Sequence, residues 1–173
     1  MDTVLVTGSN RGLGYEFVKQ YSESGCNVLA CCRDMDKARD LKKLSENSTN
    51  IEVYQLDVGN FKDIIRLSKE LQNKKIDILI NNAGIYRSSN LGNLDREEWI
   101  ESFKINTIAP YQIIEAFLTQ VTNSDLKKVV SITSKMGSID DNTSGGSYIY
   151  RSSKTALNSI MQSLRHDLKS QGI

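Results

Sequence analysis

Thr7-Gly8-Ser9-Asn10-Arg11-Gly12-Leu13-Gly14 is the segment that most directly indicates how this chain folds. It follows an apolar, β-branched run that predicts a strand, and it opens an amphipathic pattern that predicts a helix. Its first glycine permits a tight turn, Gly12 lets a pyrophosphate approach the backbone, and Gly14 allows close packing of the helix. The free N–H groups at the start of the helix then face the phosphates. A lone glycine-rich stretch is compatible with an ordinary loop, but this strand–turn–helix context predicts a dinucleotide site.

The rest of the chain repeats the alternation of short apolar runs and longer amphipathic segments. This pattern predicts an α/β fold, a doubly wound Rossmann-type parallel sheet with helices on both faces. We expect residues 1–173 to form a single domain. The predicted strands are Thr3–Thr7, Asn27–Cys32, Ile51–Leu56, Ile76–Ile80 and Lys128–Thr133, and the predicted helices are Leu13–Ser24, Met35–Ser45, Lys62–Asn73, Arg96–Val121 and Tyr148–Ser170.

Composition argues against several classes of partner. Charged residues make up 25% of the 173 and the formal net charge is +1, which gives no electrostatic basis for binding nucleic acid or an anionic membrane. The neighbours Cys31 and Cys32 would point to opposite sides of a strand, an arrangement that suits neither a disulfide framework nor a zinc site. Strand-like sequence begins at Thr3, so we expect no signal peptide and a reduced, cytoplasmic setting.

Near the end of the chain, Tyr150 and Lys154 stand four residues apart on a predicted helix. Residues at this spacing lie on one face, where an ammonium group favours the phenolate form of the tyrosine. A tyrosine in such a setting can donate or accept a proton near neutral pH. Tyr148 is a rival for this role, but it lacks a lysine four residues later and is interpreted as a pocket or packing residue.

Several motifs occur together and in order: the glycine loop Thr7–Gly14, Asn81-Asn82-Ala83-Gly84, then Asn106, Ser134 and Tyr150-x-x-x-Lys154. In this the chain resembles the classical short-chain dehydrogenases/reductases. Within them, the stretch Asn142–Asn158 resembles the carbonyl-reductase branch of the sniffer and C-factor proteins. The resemblance covers the whole chain and implies the strand order 3-2-1-4-5.

The resemblance also implies roles for individual residues. Tyr150 would be the general acid, Lys154 would bind the ribose and tune the tyrosine, Ser134 would orient the substrate oxygen, and Asn106 would hold a water in a proton relay. The cofactor would be NADP(H), and the residues implied to bind it are Gly8, Asn10, Arg11, Gly12, Leu13, Gly14, Arg33, Asp57, Val58, Asn82, Ala83, Gly84, Tyr150 and Lys154.

Arg33 is the residue that indicates NADP(H) rather than NAD(H) as the cofactor. It follows the second strand, where an acidic residue would accept hydrogen bonds from the ribose of NAD, and a guanidinium there can pair with a 2′-phosphate. Arg11 adds a second cation. A solvated surface arginine paired with Asp34 is the alternative.

Other assignments also have alternatives. Asp57 is either a residue near the adenine or a cap for the next turn, and the asparagines of the Asn81–Gly84 run either line the cofactor or tie neighbouring strands together. Ser138 rivals Ser134 for the substrate oxygen. Pro110 removes the helical partner of the Asn106 carbonyl, which predicts a kink within Arg96–Val121.

These observations predict an NADPH-dependent oxidoreductase that reduces an aldehyde, ketone or quinone. A non-catalytic NADP-binding or regulatory module is the alternative. The resemblance implies two further strands and a substrate-covering segment beyond Ile173, so we expect a C-terminally incomplete fold with an exposed sheet edge at the fifth strand. It also implies a homodimer or homotetramer through the helices in Arg96–Val121 and Tyr148–Ser170.

Overall fold

A computed structural model describes all 173 residues and contains one parallel sheet of five strands. The strand order is β3-β2-β1-β4-β5, which confirms the predicted order and fold class. The third and fifth strands end one and two residues earlier than predicted, and the fourth starts two residues later and ends one residue later. The strands are β1 (Thr3–Thr7), β2 (Asn27–Cys32), β3 (Ile51–Gln55), β4 (Ile78–Asn81) and β5 (Lys128–Ser131).

The helices connect the strands on both faces of the sheet. The second predicted helix begins four residues later than expected, at Arg39, and the last ends earlier, at Asp167. The helices are α1 (Gly12–Glu23), α2 (Arg39–Glu46), α3 (Phe61–Glu70), α4 (Arg96–Phe103), α5 (Ala109–Ala116), α6 (Leu118–Thr122) and α7 (Tyr148–Asp167).

The predicted helix Arg96–Val121 is not one regular α-helix, and its interruption includes Asn106, in the region where Pro110 predicted a kink. A π-helical turn at Lys104–Ile108 separates α4 from α5, and α5 begins with Pro110 in its first turn. α5 is continuous with the π turn, since the N–H of Ala109 donates to the carbonyl oxygen of Lys104, and Pro110 has no N–H with which to donate back into that turn. Pro110 indicated an irregularity here, but the sequence did not indicate that it is a π turn, which inserts one extra residue.

Two apolar cores pack against opposite faces of the sheet. Cys31 lies in the core formed with α3, α5 and α6, whereas its neighbour Cys32 lies in the core formed with α1 and α2. This is the alternation that a strand imposes on adjacent side chains. All three cysteines are free, and no group of side chains could hold a metal ion.

The fifth strand forms one edge of the sheet, as expected. β5 pairs only with β4, and Val130 within it is 39% exposed. A groove of about 600 Å³ runs between β5 and α7, lined in part by Val129, Leu157 and Met161.

Candidate active site

The glycine loop is held against the end of β4 by contacts that leave no room for a side chain. Gly8 has a φ of 67°, and a Cβ on it would lie 2.9 Å from the Cα of Ala83. A Cβ on Gly14 would clash with the carbonyl oxygen of Gly8 and would lie 2.5 Å from Nδ2 of Asn82. The loop is therefore built by close approach of three segments, which only glycine allows.

The start of α1 is open to an anion. Arg11, the residue before the helix, has an extended backbone and provides no side-chain cap, and the first turn contains no acidic residue. A Cβ on Gly12 would meet nothing within 4 Å, so there is free space beside the first N–H groups. Uncapped N–H groups and the helix dipole favour a phosphate at this position.

This loop opens into a cleft of about 730 Å³ along the carboxyl ends of the strands. Every residue implied to bind the cofactor lines it, except Tyr150 and Lys154. The lining comprises the predicted residues Gly8, Asn10, Arg11, Gly12, Leu13, Gly14, Arg33, Asp57, Val58, Asn82, Ala83 and Gly84, together with Asp34, Lys37, Leu56, Ile85 and Ile105.

Sequence reasoning missed the last five of these residues. Leu56 and Ile85 are chain neighbours of predicted residues, which was a usable signal. Lys37 is a second cation shortly after β2 and could have been found in the same way. Ile105 arrives from the π turn, a long-range contact that no local pattern indicates.

At the end of β2, the carboxylate of Asp34 is occupied by Lys37 rather than by Arg33. Lys37 Nζ lies 3.2 Å from Asp34 Oδ2, and the carboxylate also accepts the backbone N–H groups of Asp36 and Lys37. The Lys37 side chain is the main cause that lowers the pKa of Asp34. The guanidinium groups of Arg33 and Arg11 form no ion pair. Two unpaired cations therefore border the cleft.

Asn82 and Asp57 each have a structural task at the cleft wall. Asn82 Nδ2 donates to the carbonyl oxygens of Thr7 and Gly8 at 2.9 and 3.1 Å, tying the ends of β1 and β4 together. Asp57 Oδ1 accepts the N–H of Gly59 at 2.9 Å and so caps the turn after β3. Both residues also line the cleft, so the two interpretations of each are compatible.

Lys154 is buried where the cleft meets α7. It is 5% exposed, which is contrary to a solvated helix lysine, and its Nζ donates to the carbonyl oxygen of Ile132 at 2.8 Å. Burial lowers the pKa of this ammonium group. A Cβ on Gly84 would lie 3.7 Å from the same Nζ, which also lies 6.0 Å from the ring centroid of Tyr150. Lys154 thus stands between a cleft-lining glycine and the tyrosine.

Ser134 lies in a half-buried turn that is fastened to α7. Its Oγ accepts the N–H of Met136 at 3.1 Å, which leaves its own hydrogen available to a ligand. Thr155 Oγ1 donates to the carbonyl oxygen of Gly137 at 2.9 Å, so the turn after β5 packs next to Lys154. Ser138 is exposed, and its Oγ accepts the N–H of Asp141 at 3.3 Å.

Asn106 is fully buried in the π turn, and its side chain is saturated with protein contacts. Oδ1 accepts the N–H of Ile85 and Nδ2 donates to the carbonyl oxygen of Ile85, both at 2.8 Å. Nδ2 also lies 3.0 Å from Oγ of Ser153 on α7. The Asn106 side chain therefore clamps the segment after β4 to α7, and a water relay at this residue requires its backbone carbonyl instead.

The sequence as a whole places the chain among known proteins. The family whose sequence model is described as short chain dehydrogenase matches residues 2–173. The chain belongs to the short-chain dehydrogenase family. As a short-chain dehydrogenase it is an oxidoreductase, which confirms the general class predicted from the motifs. None of its helices is both long and apolar enough to cross a membrane.

Individual relatives support this placement. A 1-hydroxy-2-glutathionyl-2-methyl-3-butene dehydrogenase of Rhodococcus sp. (strain AD45) is 33% identical over 175 residues, covering all of this short-chain dehydrogenase and 74% of the relative. The carbonyl reductase sniffer of D. melanogaster superimposes with a TM-score of 0.90 at 29% identity, covering 99% of this chain and 77% of that one. The resemblance to sniffer carbonyl reductases is thus confirmed.

A third protein is similar over the same region. The NADPH-bound carbonyl reductase from chicken fatty liver has a TM-score of 0.92 and 32% identity, covering 100% of this short-chain dehydrogenase and 73% of that chain. The chain spans about three quarters of the length of these three proteins.

Proposed function

We propose that this short-chain dehydrogenase reduces a carbonyl group to an alcohol with NADPH as the reductant. The observation that carries the proposal is the position of Lys154. Its buried ammonium group lies beside Gly84 in the cleft wall and 6.0 Å from the ring centroid of Tyr150, so it stands between the cleft and the tyrosine. Solved relatives that are carbonyl reductases, one of them NADPH-bound, agree with this reading.

The residues of the cleft fit NADPH. The uncapped start of α1 and the space beside Gly12 suit the pyrophosphate, and the unpaired guanidinium groups of Arg33 and Arg11 suit a 2′-phosphate. Asp57 and Val58 would border the adenine, and Asn82, Ala83 and Gly84 would form the inner wall. When bound, NADPH supplies the hydride that reduces the carbonyl carbon.

The protein's own residues handle the oxygen and its proton. The Ser134 hydroxyl donates a hydrogen bond to the carbonyl oxygen, where negative charge develops during reduction. The Tyr150 hydroxyl donates the proton that completes the alcohol, and the Lys154 ammonium group stabilises the phenolate left behind. Asn106 supports proton resupply through its backbone carbonyl, because its side chain is already engaged.

The direct test is NADPH oxidation by the purified protein with a panel of aldehydes, ketones and quinones. We expect the wild-type protein to oxidise NADPH with some members of the panel. Tyr150→Phe keeps the ring and removes only the hydroxyl, so NADPH should still bind through the residues that line the cleft while turnover falls by a factor of about 100 or more. Binding of NADPH by the wild-type protein without oxidation would favour the non-catalytic module instead.

The same proposal includes the setting of the enzyme. We propose that residues 1–173 act as one NADP-binding unit in the cytoplasm, which the three free cysteines support because disulfides are rare there. The partner is a small carbonyl compound, with no role for nucleic acid or a membrane.

A further inference from the structure

Tyr86 lies in the segment after β4 and packs against the proposed acid. Its ring centroid is 5.0 Å from that of Tyr150, and the two ring planes meet at 62°. Aromatic pairs prefer this edge-to-face arrangement at such separations. Tyr86 is 54% exposed, so its position is not explained by burial in a core.

Both ends of Tyr86 are held in place. On the backbone side, the preceding residue Ile85 forms two hydrogen bonds of 2.8 Å with the buried side chain of Asn106. The N–H of Ile85 donates to Oδ1, and Nδ2 donates to the carbonyl oxygen of Ile85. At its tip, the Tyr86 hydroxyl shares a hydrogen bond of 3.1 Å with Oγ of Ser147, the residue before α7. Tyr86 therefore connects the π turn to the start of α7, the helix that contains Tyr150.

The Tyr150 hydroxyl is not engaged by the protein. The Ser153 hydroxyl donates to the backbone carbonyl of Tyr150, and the Lys154 ammonium group is 6.0 Å from the ring centroid. Tyr86 provides the one aromatic contact of the Tyr150 ring, and this contact leaves the hydroxyl free. We propose that Tyr86 is a positioning residue that holds the Tyr150 ring for proton transfer. The role in turnover rests on the proposed function, whereas the ring contact does not.

A residue of the substrate pocket wall would behave differently. Loss of a wall residue changes KM and the preference among substrates, because it removes binding that is equal in the ground state and the transition state. Loss of a positioning residue lowers kcat for every substrate, because the acid is less often in the reactive orientation. Kinetics with several carbonyl compounds therefore separate the two roles.

The experiment compares Tyr86→Leu, which removes the ring, with Tyr86→Phe, which keeps it. We expect Tyr86→Leu to lower kcat about 3- to 10-fold for all substrates with KM for NADPH unchanged, and Tyr86→Phe to stay within about 3-fold of wild type. Leu91→Ala, at an exposed side chain in the same segment, is the control and should have no effect. An unchanged kcat in Tyr86→Leu, or a change confined to KM, would overturn the proposal.

A second readout needs no turnover. In protein with labelled tyrosine rings, the Tyr150 resonances are those lost in Tyr150→Phe. They should move in Tyr86→Leu, because the ring current of Tyr86 is removed, and should stay in place in Leu91→Ala. Failure of the wild type to oxidise NADPH would refute the proposed function alone. Unmoved Tyr150 resonances in folded Tyr86→Leu would refute the positioning contact itself.

Discussion

The ammonium group of Lys154 is buried, and burial disfavours its charged form. Burial lowers its pKa from the value of 10.5 that the group has in a free chain. Between the folded-state pKa and the unfolded-state pKa, the unfolded chain binds more protons than the folded one. Below this interval the lysine is charged in both states, so the cost of burying its charge destabilises the folded protein in full. As pH increases through the interval, the free energy of unfolding rises.

We predict that this rise disappears in Lys154→Met, which has no titrating group at the position. The measurement is denaturant unfolding of both proteins at several pH values from neutral to about 10.5, with the difference between them plotted against pH. Other groups titrate in this range but cancel in the difference. Two curves that run parallel over the whole range would contradict the buried setting of Lys154.

Arg33 is the residue on which the cofactor preference depends. Its guanidinium group borders the cleft without an ion-pair partner, because Asp34 is engaged by Lys37. A charge-assisted hydrogen bond contributes about 1.5–3 kcal/mol. Arg33→Ala should therefore raise KM for NADPH by a factor of about 10 to 150 and change KM for NADH little.

Arg39→Ala serves as the matched control, since Arg39 is an exposed cation at the start of α2 and does not line the cleft. It should leave both values unchanged. An equal increase of KM for NADPH and for NADH in Arg33→Ala would show that Arg33 does not bind the 2′-phosphate.

At the scale of elements, α7 begins without a cap of its own. Ser147 before it has a left-handed φ of 47° and its side chain makes no cap hydrogen bond. The cap comes from the buried Ser89 of the segment after β4, whose Oγ accepts the N–H of Ile149 at 3.0 Å and whose carbonyl accepts the N–H of Ser147 at 2.7 Å.

We predict that Ser89→Ala lowers the free energy of unfolding by about 1 kcal/mol, as loss of an N-terminal cap does. The backbone N–H of Ile149 would then be buried without a partner. Denaturant unfolding measures the loss. Ser163→Ala, on the exposed side of α7, should change the free energy of unfolding by less than about 0.5 kcal/mol. The same small change in both variants would contradict the cap.

The strands and the cleft were predictable because their signals are local. The apolar runs predicted both ends of β1 and β2 correctly. The motif Gly8–Gly14 and Asn82 correctly predicted residues that line the cleft. Pro110 predicted an irregularity within Arg96–Val121, but neither its form as a π turn nor the long-range contact of Asn106 with Ile85 was predictable. The roles of Tyr86 and Ser89 were missed for the same reason, as each contacts α7 about sixty positions away in sequence.

The protein leaves apolar side chains uncovered on α4, α5 and α7 and on the π turn between α4 and α5. Ile100 is 63% exposed, and Trp99, Ile108, Tyr111 and Tyr148 are each more than a third exposed. We predict that these faces pair two copies of the chain, as the family resemblance implied. Sedimentation of the purified protein should give the mass of a dimer or a higher even-numbered oligomer.

The Ile100→Lys variant places a charge in the middle of this surface and should give a monomer. Leu126→Lys, at an exposed side chain before β5, is the control and should leave the wild-type mass unchanged. A wild-type protein that sediments as a monomer would contradict the predicted pairing.

The lining of the cleft has a consequence for the order in which the site comes into being. All its residues fall between Gly8 and Ile105, whereas Ser134, Tyr150 and Lys154 come later in the chain. A ribosome makes the chain from its N-terminus, at about 5–20 residues per second. The half of the site that suits a phosphate-bearing ligand is therefore synthesised in full while the residues that handle the proton are still to be made.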